Sequence, residues 1–291
     1  MGAFFRIKTT KGVSKGVQLM PDTEIYYFSG TGNSFAVARD LAKELDGKLT
    51  SILSLAKQDT VDTDAEVVGF VFPFYDFKAP EIVNDFVKKI RNLDSKYVFA
   101  VSTYGFMRLK GMKKFGKTVQ LQGGKLAAGF AIQMPHNGIA WETATAEKQK
   151  ELLDNWKTKL ETIKDYVTER KEGRIETSNM FVNLFLTGLF IKATPKLLSL
   201  AKQVIMKGWK SLAFVSDEKC DGCGVCAKVC LMNNISIVDD KPSWADNCLI
   251  CFACLQWCPK EAIQLGNVTV KQKRYHHPEV KITDIMKQKA T

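Results

Sequence analysis

Short apolar runs and amphipathic stretches alternate along the first half of the chain. EIYYFS (24–29), KLTSIL (48–53), EVVGFVFPF (66–74), KYVFAVST (96–103) and KLAAGFAIQM (125–134) read as strands. Between them SFAVARDLAKEL (34–45), PEIVNDFVKKI (80–90) and MRLKGMKKFGKTVQ (107–120) read as helices. Near-continuous apolar strands separated by helices indicate a parallel sheet buried on both faces. On pattern alone, five strands fit a flavodoxin-like sheet or a half-Rossmann unit equally well. Residues 142–173 are highly charged, with Leu152, Leu153, Trp156, Leu160, Ile163 and Val167 at helical spacing, which predicts one long helix closing the first domain.

The pattern then changes. Residues 177–216 contain no Asp or Glu and set Lys192, Lys196, Lys202, Lys207 and Lys210 among Phe, Leu, Ile and Met. Such a stretch serves either as a connector whose apolar face packs on its neighbours or as a membrane-surface helix. The connector reading is preferred, with peripheral membrane contact the lesser alternative. No uncharged apolar run reaches the ~18 residues of a spanning helix, and the N-terminus lacks the apolar core of a signal peptide. A cytoplasmic protein is the expectation. Met20, just ahead of the first strand, reads as the natural start of the fold. The expected organisation is an extension over 1–19, an α/β domain over 20–173, a connector over 174–212, a small domain over 213–270 and a tail over 271–291.

Length and composition agree with two domains. The 291 residues are 45% hydrophobic and 25% charged, which excludes bulk disorder and fibrous classes. The eight cysteines all lie between Cys220 and Cys258. Disulfides in a secreted protein would be spread over the fold they staple, so this clustering points to metal and a reducing compartment. The region repeats with a period of 28 residues: Cys220, Cys223, Cys226 and Cys230 map onto Cys248, Cys251, Cys254 and Cys258, and Ile235 maps onto Ile263. Each half reads C-x2-C-x2-C-x3-C. A four-cysteine zinc site usually shows two separated C-x2-C pairs instead.

This spacing resembles that of bacterial-type two-cluster ferredoxins, in which the fourth cysteine of each run ligates the other cluster. The resemblance implies two [4Fe–4S] clusters, one on Cys220, Cys223, Cys226 and Cys258, the other on Cys248, Cys251, Cys254 and Cys230. Cys258 is followed by the expected Pro259, whereas Cys230 is followed by Leu231. That departure leaves ligation intact and touches only local packing and potential. Gly222 and Gly224 leave room for the backbone to bend and donate to sulfur.

A second candidate site follows the first strand. Ser29-Gly30-Thr31-Gly32-Asn33-Ser34 lies between a strand and a helix, where amides and the positive helix end hold a phosphate. The loop has no Lys, unlike a triphosphate-binding P-loop, and the dinucleotide pattern G-x-G-x-x-G fails at Phe35. A monophosphate fits better, and flavin mononucleotide (FMN) is the candidate. The loop resembles the phosphate loop of flavodoxins, with serines replacing two of that family's usual threonines. The resemblance implies a flavin ring held by the loops after the third and fourth strands, here Pro73-Phe74-Tyr75-Asp76-Phe77 and Ser102-Thr103-Tyr104-Gly105-Phe106. Tyr75 and Tyr104 are the stacking candidates, and Met134-Pro135-His136-Asn137-Gly138 lies on the same sheet edge.

From about residue 20 to 280 the chain resembles the flavodoxin–ferredoxin fusion proteins of anaerobes, and Lys273-Arg274-Tyr275-His276-His277-Pro278 resembles the segment that ends them. The implied fold is a doubly wound, five-stranded flavodoxin-like α/β domain followed by a small α+β two-[4Fe–4S] ferredoxin domain. The implied function is electron transport by an oxidoreductase-type flavo-iron–sulfur protein, a carrier or adaptor serving a redox partner protein. The alternative is a reductase of a small molecule fed through the ferredoxin domain, enclosed by loops 74–78, 104–110 and 135–142. No catalytic acid–base pair, nucleophile elbow or histidine metal motif is present. His276 and His277 are expected to pack or hydrogen-bond where the tail meets the domains. Nucleic-acid binding is not expected. The formal charge of +11 treats the cysteines as neutral thiols; about −2 per cluster and roughly −2 from a flavin phosphate bring it near +5. The remaining excess suggests an acidic partner.

Overall fold

A computed structural model describes residues 23–137, 145–178 and 213–289. The expected extension over 1–19 lies outside the described residues, as do Gly138 and most of the expected connector, 179–212. The first unit is built on strands β1 (Thr23–Tyr27), β2 (Lys48–Ser51), β3 (Val67–Pro73), β4 (Tyr97–Tyr104) and β5 (Leu126–Gln133). Its helices are α1 (Asn33–Glu44), α2 (Glu81–Val87), α3 (Gly111–Leu121) and α4 (Ala146–Thr168). All strands run parallel in the order β2-β1-β3-β4-β5, the flavodoxin-like order.

The expected five strands become six. β6 (Arg174–Ile175) pairs in parallel with β5, Ala128 opposite Arg174 and Gly129 opposite Ile175. Two residues carry no periodicity, so pairing on a distant strand edge defines this element rather than any local pattern. The long helix begins at Ala146, four residues later than expected, because Thr145 caps it by accepting from the Lys148 amide at 3.3 Å. α3 starts at Gly111 rather than Met107; the preceding turn is held by Ser178, whose Oγ accepts from the Leu109 amide at 2.9 Å.

Burial explains the sheet. Ile25, Phe70, Val71, Phe72, Phe99, Val101 and Phe130 are fully shielded, each contributing about 1.5–3 kcal/mol of hydrophobic stabilisation. α1 presents Ala36, Val37, Leu41 and Ala42 to one face. α4 packs Leu152, Trp156, Leu160, Ile163 and Val167 inward, and Trp156→Ala would cost about 3–5 kcal/mol. Glu24 is buried on β1, away from the strand ends that carry the site. Burial pushes its carboxyl up, but bonds from Lys48, Thr50, Thr63 and Tyr26 outweigh that and hold it below the usual range. Glu24 thereby ties β1 to β2 and to the segment ahead of β3.

The second unit carries β7 (Phe214–Ser216), α5 (Val225–Val229), β8 (Ile235–Val238), β9 (Lys241–Trp244), α6 (Ala253–Gln256) and β10 (Ile263–Leu265). β7 pairs antiparallel with β10, and β8 with β9. The tail returns to the first unit and ends in α7 (Ile282–Lys287). Among the described residues no helix is long and apolar enough to cross a membrane.

Candidate functional site

The loop after β1 runs beneath the N-terminus of α1. Ser29, Thr31 and Ser34 are buried. Gly32 has φ +99°, a left-handed value that glycine adopts without steric cost, and its amide donates to Ser29 Oγ at 3.2 Å. The amides of Gly30, Thr31, Asn33 and Ser34 meet no acceptor among the described residues. Buried amides converging at the positive end of a twelve-residue helix are suited to an anion. The side chains are fixed from outside: Ser34 Oγ and Thr103 Oγ1 lie 2.8 Å apart, Asn137 Nδ2 donates to Thr31 Oγ1 at 2.9 Å, and Asn33 Nδ2 donates to Pro135 O at 2.9 Å.

These loops enclose a narrow cleft of roughly 380 Å³, part of it open to solvent. Its walls are Ser29, Gly30, Thr31, Asn33, Ser34, Pro73, Phe74, Tyr75, Thr103, Tyr104, Gly105, Pro135, His136 and Asn137. Of the residues expected to touch cofactor, Gly32, Asp76, Phe77, Ser102 and Phe106 stand outside this wall. Gly32 faces the tail instead, since a Cβ there would lie 3.0 Å from His277 Cβ and Val280 Cβ. Ser102 Oγ bonds across the sheet to Phe130 O. Asp76 and Phe77 form the tip of a tight turn at φ +48° and +61°, closed by mutual Tyr75 and Lys78 backbone bonds of 3.0 Å. That turn leaves Phe77 outside and directs Tyr75 inward. Tyr75 is half-buried; burial of its phenol, followed by the proximity of Cys251, raises it well above the ordinary value. Tyr104 accepts from Arg108 Nη1 at 3.1 Å, with the guanidinium carbon 5.6 Å from its ring centre.

The residues present fit a flavin phosphate and ring. Among the described residues no group fills the anion cradle, two tyrosines face the cleft, and the buried His136 Nδ1 meets no partner. When bound there, a flavin supplies two-electron or one-electron chemistry. Thr31, Asn33, Ser34 and the free amides would hold its phosphate, while Tyr75, Tyr104 and His136 would flank its ring.

The eight thiols form no disulfide. They fall four and four into two cavities. Cys220, Cys223, Cys226 and Cys258 line one. Cys230, Cys248, Cys251 and Cys254 line the other. The fourth cysteine of each run thus lies with the first three of the other. Among the described residues, no three His, Cys, Asp or Glu side chains meet as a single metal ion would need.

The halves repeat their backbone closely. The Asn234 amide donates to Cys230 Sγ at 3.2 Å, and its counterpart Ala262 donates to Cys258 Sγ at 3.3 Å. Gly222 and Gly224 have φ +73° and +70°; their counterparts Ile250 and Phe252 hold +52° and +60° without being glycine. Loops that keep a left-handed backbone through Ile and Phe are held by more than local preference. Burial first, then neighbouring thiols, pushes Cys226 and Cys254 above the ordinary thiol value and Cys251 up to about 12. Crowded, buried thiols ionise only against a compensating cationic centre, which an iron–sulfur cluster provides.

Several contributors come from outside the pocket loops. Trp257 Nε1 donates to Gly30 O at 3.1 Å, the His277 amide to Thr31 O at 2.9 Å, and Tyr275 Oη to Asn33 Oδ1 at 2.8 Å. Both histidines pack as expected: His277 is buried, and His276, though exposed, lies flat on Trp257 with ring centres 4.0 Å apart.

No protein-family model and no curated protein matches the chain. Solved structures similar to it include a flavodoxin of Streptococcus pneumoniae TIGR4, 18% identical over 48% of this chain and 98% of that one, TM-score 0.32. A flavodoxin from the domain Archaea is 15% identical over 49% and 98%, TM-score 0.30. The two-electron reduced flavodoxin of Megasphaera elsdenii is 21% identical over 40% and 90%, TM-score 0.29. At such scores they add nothing to what the strand order itself says.

Proposed function

We propose that this chain is an electron-transfer flavo-iron–sulfur protein, with FMN in the cleft above β1, β3, β4 and β5 and two [4Fe–4S] clusters in the cysteine cavities. The observation that carries the reading is the interleaved four-and-four grouping of the cysteines beside an anion cradle that no described residue fills. Each cluster would carry one electron and the flavin one or two, so the chain would convert between two-electron and one-electron partners. Its own residues bind, orient and shield; no side-chain nucleophile is required. The second unit is read as ferredoxin-like on its repeat and ligand grouping, and an acidic redox protein is the proposed partner.

Anaerobic purification followed by iron, sulfide and flavin analysis tests this. The expected content is about eight irons and one FMN per chain. Zinc in the cavities, or full iron with no affinity for FMN, overturns it. The alternative, direct reduction of a small molecule, requires reduced flavin to be reoxidised with saturation kinetics by that molecule and no partner protein.

A further inference from the structure

We propose that the two cysteine centres are unequal toward the cleft: the centre on Cys230, Cys248, Cys251 and Cys254 is the flavin-side one, and its assembly and FMN binding strengthen each other through the contact of Cys251 with Gly30. This rests on the function proposed above and assigns that site an internal order.

The contact is direct. A Cβ built on Gly30 would lie 3.2 Å from the Cys251 carbonyl oxygen, 3.3 Å from Cys251 Cβ and 3.0 Å from Tyr75 Oη. Gly30 is a wall residue of the cleft and supplies one of the free amides of the anion cradle. The absence of a side chain at Gly30 therefore lets a cysteine of the second unit rest on the phosphate loop of the first. The core contacts agree. Cys251 packs against the large core that continues from the first unit into Val229, Leu231, Ala253 and Trp257 of the second, whereas Cys226, Cys230, Cys254 and Cys258 lie in or against a separate apolar cluster.

The other centre has a longer connection. Trp257, next to Cys258 in sequence, reaches the Gly30 carbonyl through its indole N–H, so that path runs along the main chain and out through a side chain. Each centre has one exposed cysteine, Cys223 here and Cys248 in the other, so it is the approach to Gly30 that distinguishes them. The geometry orders the redox groups as flavin, Cys251 centre, then Cys223 centre.

A loop conformation shared by two ligand sites couples them, and the coupling is reciprocal. Four sulfurs drawn onto one cluster fix the Cys248–Cys254 loop, and that loop presses on Gly30. Order in one site lowers the cost of ordering the other.

Equilibrium titration with FMN, read by flavin fluorescence on anaerobically iron-loaded full-length protein, tests this. Cys251→Ser should weaken FMN binding about tenfold or more, within the usual range of coupling. Cys223→Ser, the same change in the other half, should leave the dissociation constant within about twofold while losing its own centre. Equal effects of the two substitutions overturn the proposal. A second measurement avoids the chance that Cys251→Ser fails to fold. With the unaltered protein, FMN should slow chelator removal of about four of its eight or so irons and leave the rest unaffected; protection of all or none overturns the proposal. These outcomes leave the broader function standing. A chain that binds neither iron nor FMN in any form overturns both.

Discussion

The side-chain amide of Gln288 brackets the peptide of Ser29: the Ser29 amide donates to Gln288 Oε1 at 3.0 Å, and Gln288 Nε2 donates back to Ser29 O at 2.8 Å. The two residues are 259 positions apart, and Gln288 is fully buried. The tail therefore completes the hydrogen bonding of the anion-binding loop. Gln288→Leu leaves a buried N–H and a buried carbonyl unpaired, each costing about 1–3 kcal/mol. The expected result is a lower denaturation midpoint together with weaker FMN binding. Unchanged FMN affinity in a destabilised protein would confine the tail to a structural role.

Gly32 tests the loop from its other side. Its φ of +99° is unfavourable for any other residue, and an added Cβ would press on His277 and Val280 at 3.0 Å. Gly32→Ala should cost about 1–2 kcal/mol in backbone strain alone and push the tail from α1. Gly32→Asp adds a negative charge at the helix end proposed to hold phosphate and should lose FMN well beyond the alanine change. Isothermal titration with FMN distinguishes the two, and full flavin occupancy in the aspartate variant would mean the cradle is misassigned.

Ile250 makes a prediction of opposite sign. It holds φ +52° where the first half has Gly222, and the residue is 44% exposed. Ile250→Gly relieves about 1–2 kcal/mol of strain and costs about 0.5–1 kcal/mol in backbone entropy. The amide that donates to Cys248 Sγ at 3.4 Å is retained. Chemical denaturation should therefore show equal or slightly greater stability, whereas a large loss would mean that the Ile side chain is needed there.

Which parts were readable from sequence follows from how local each signal is. The strand ends of β3, β4 and β5 fall within one residue of the apolar runs because a buried parallel strand must be apolar throughout. The pocket loops were readable because they follow those strands. β6 was not, since Arg174 and Ile175 become a strand only by meeting Ala128 and Gly129. Gln288, Trp257 and Tyr275 act on the loop across domains and chain ends, and a single Gln, Trp or Tyr carries no pattern that says so. The meeting of Cys251 and Gly30 was hidden for the same reason: each belongs to a legible motif, but nothing local brings two motifs together.

Acid should loosen the tail. Burial first holds His277 down, to about 4, with Arg39 and Lys157 acting the same way and Glu279 and Asp40 opposing. Its Nδ1 accepts from the Glu279 amide at 3.2 Å, which leaves Nε2 as the protonated nitrogen of a neutral ring. The unfolded histidine titrates near 6.5. Between these values the unfolded chain binds the extra proton and the folded one does not, so stability rises with pH. The contribution is intact above about 6.5 and is lost as pH falls toward 4. Unfolding midpoints measured across that window should decline in the native chain, and the decline should flatten in His277→Phe relative to its own value at neutral pH.

The interleaving of the two runs is testable by pairing substitutions. If Cys258 serves with Cys220, as their common cavity indicates, Cys220→Ser with Cys258→Ser damages a single centre. About four irons should then remain, with one intact reduced-cluster resonance in electron paramagnetic spectra. Cys220→Ser with Cys230→Ser should damage both, because Cys230 lines the other cavity. Were each run to hold its own cluster, the outcomes would exchange: the Cys220 and Cys230 pair would spare one centre, and the Cys220 and Cys258 pair would spare none. Both double variants remove two thiols, so a general loss of stability affects them alike and the difference between them reports ligation.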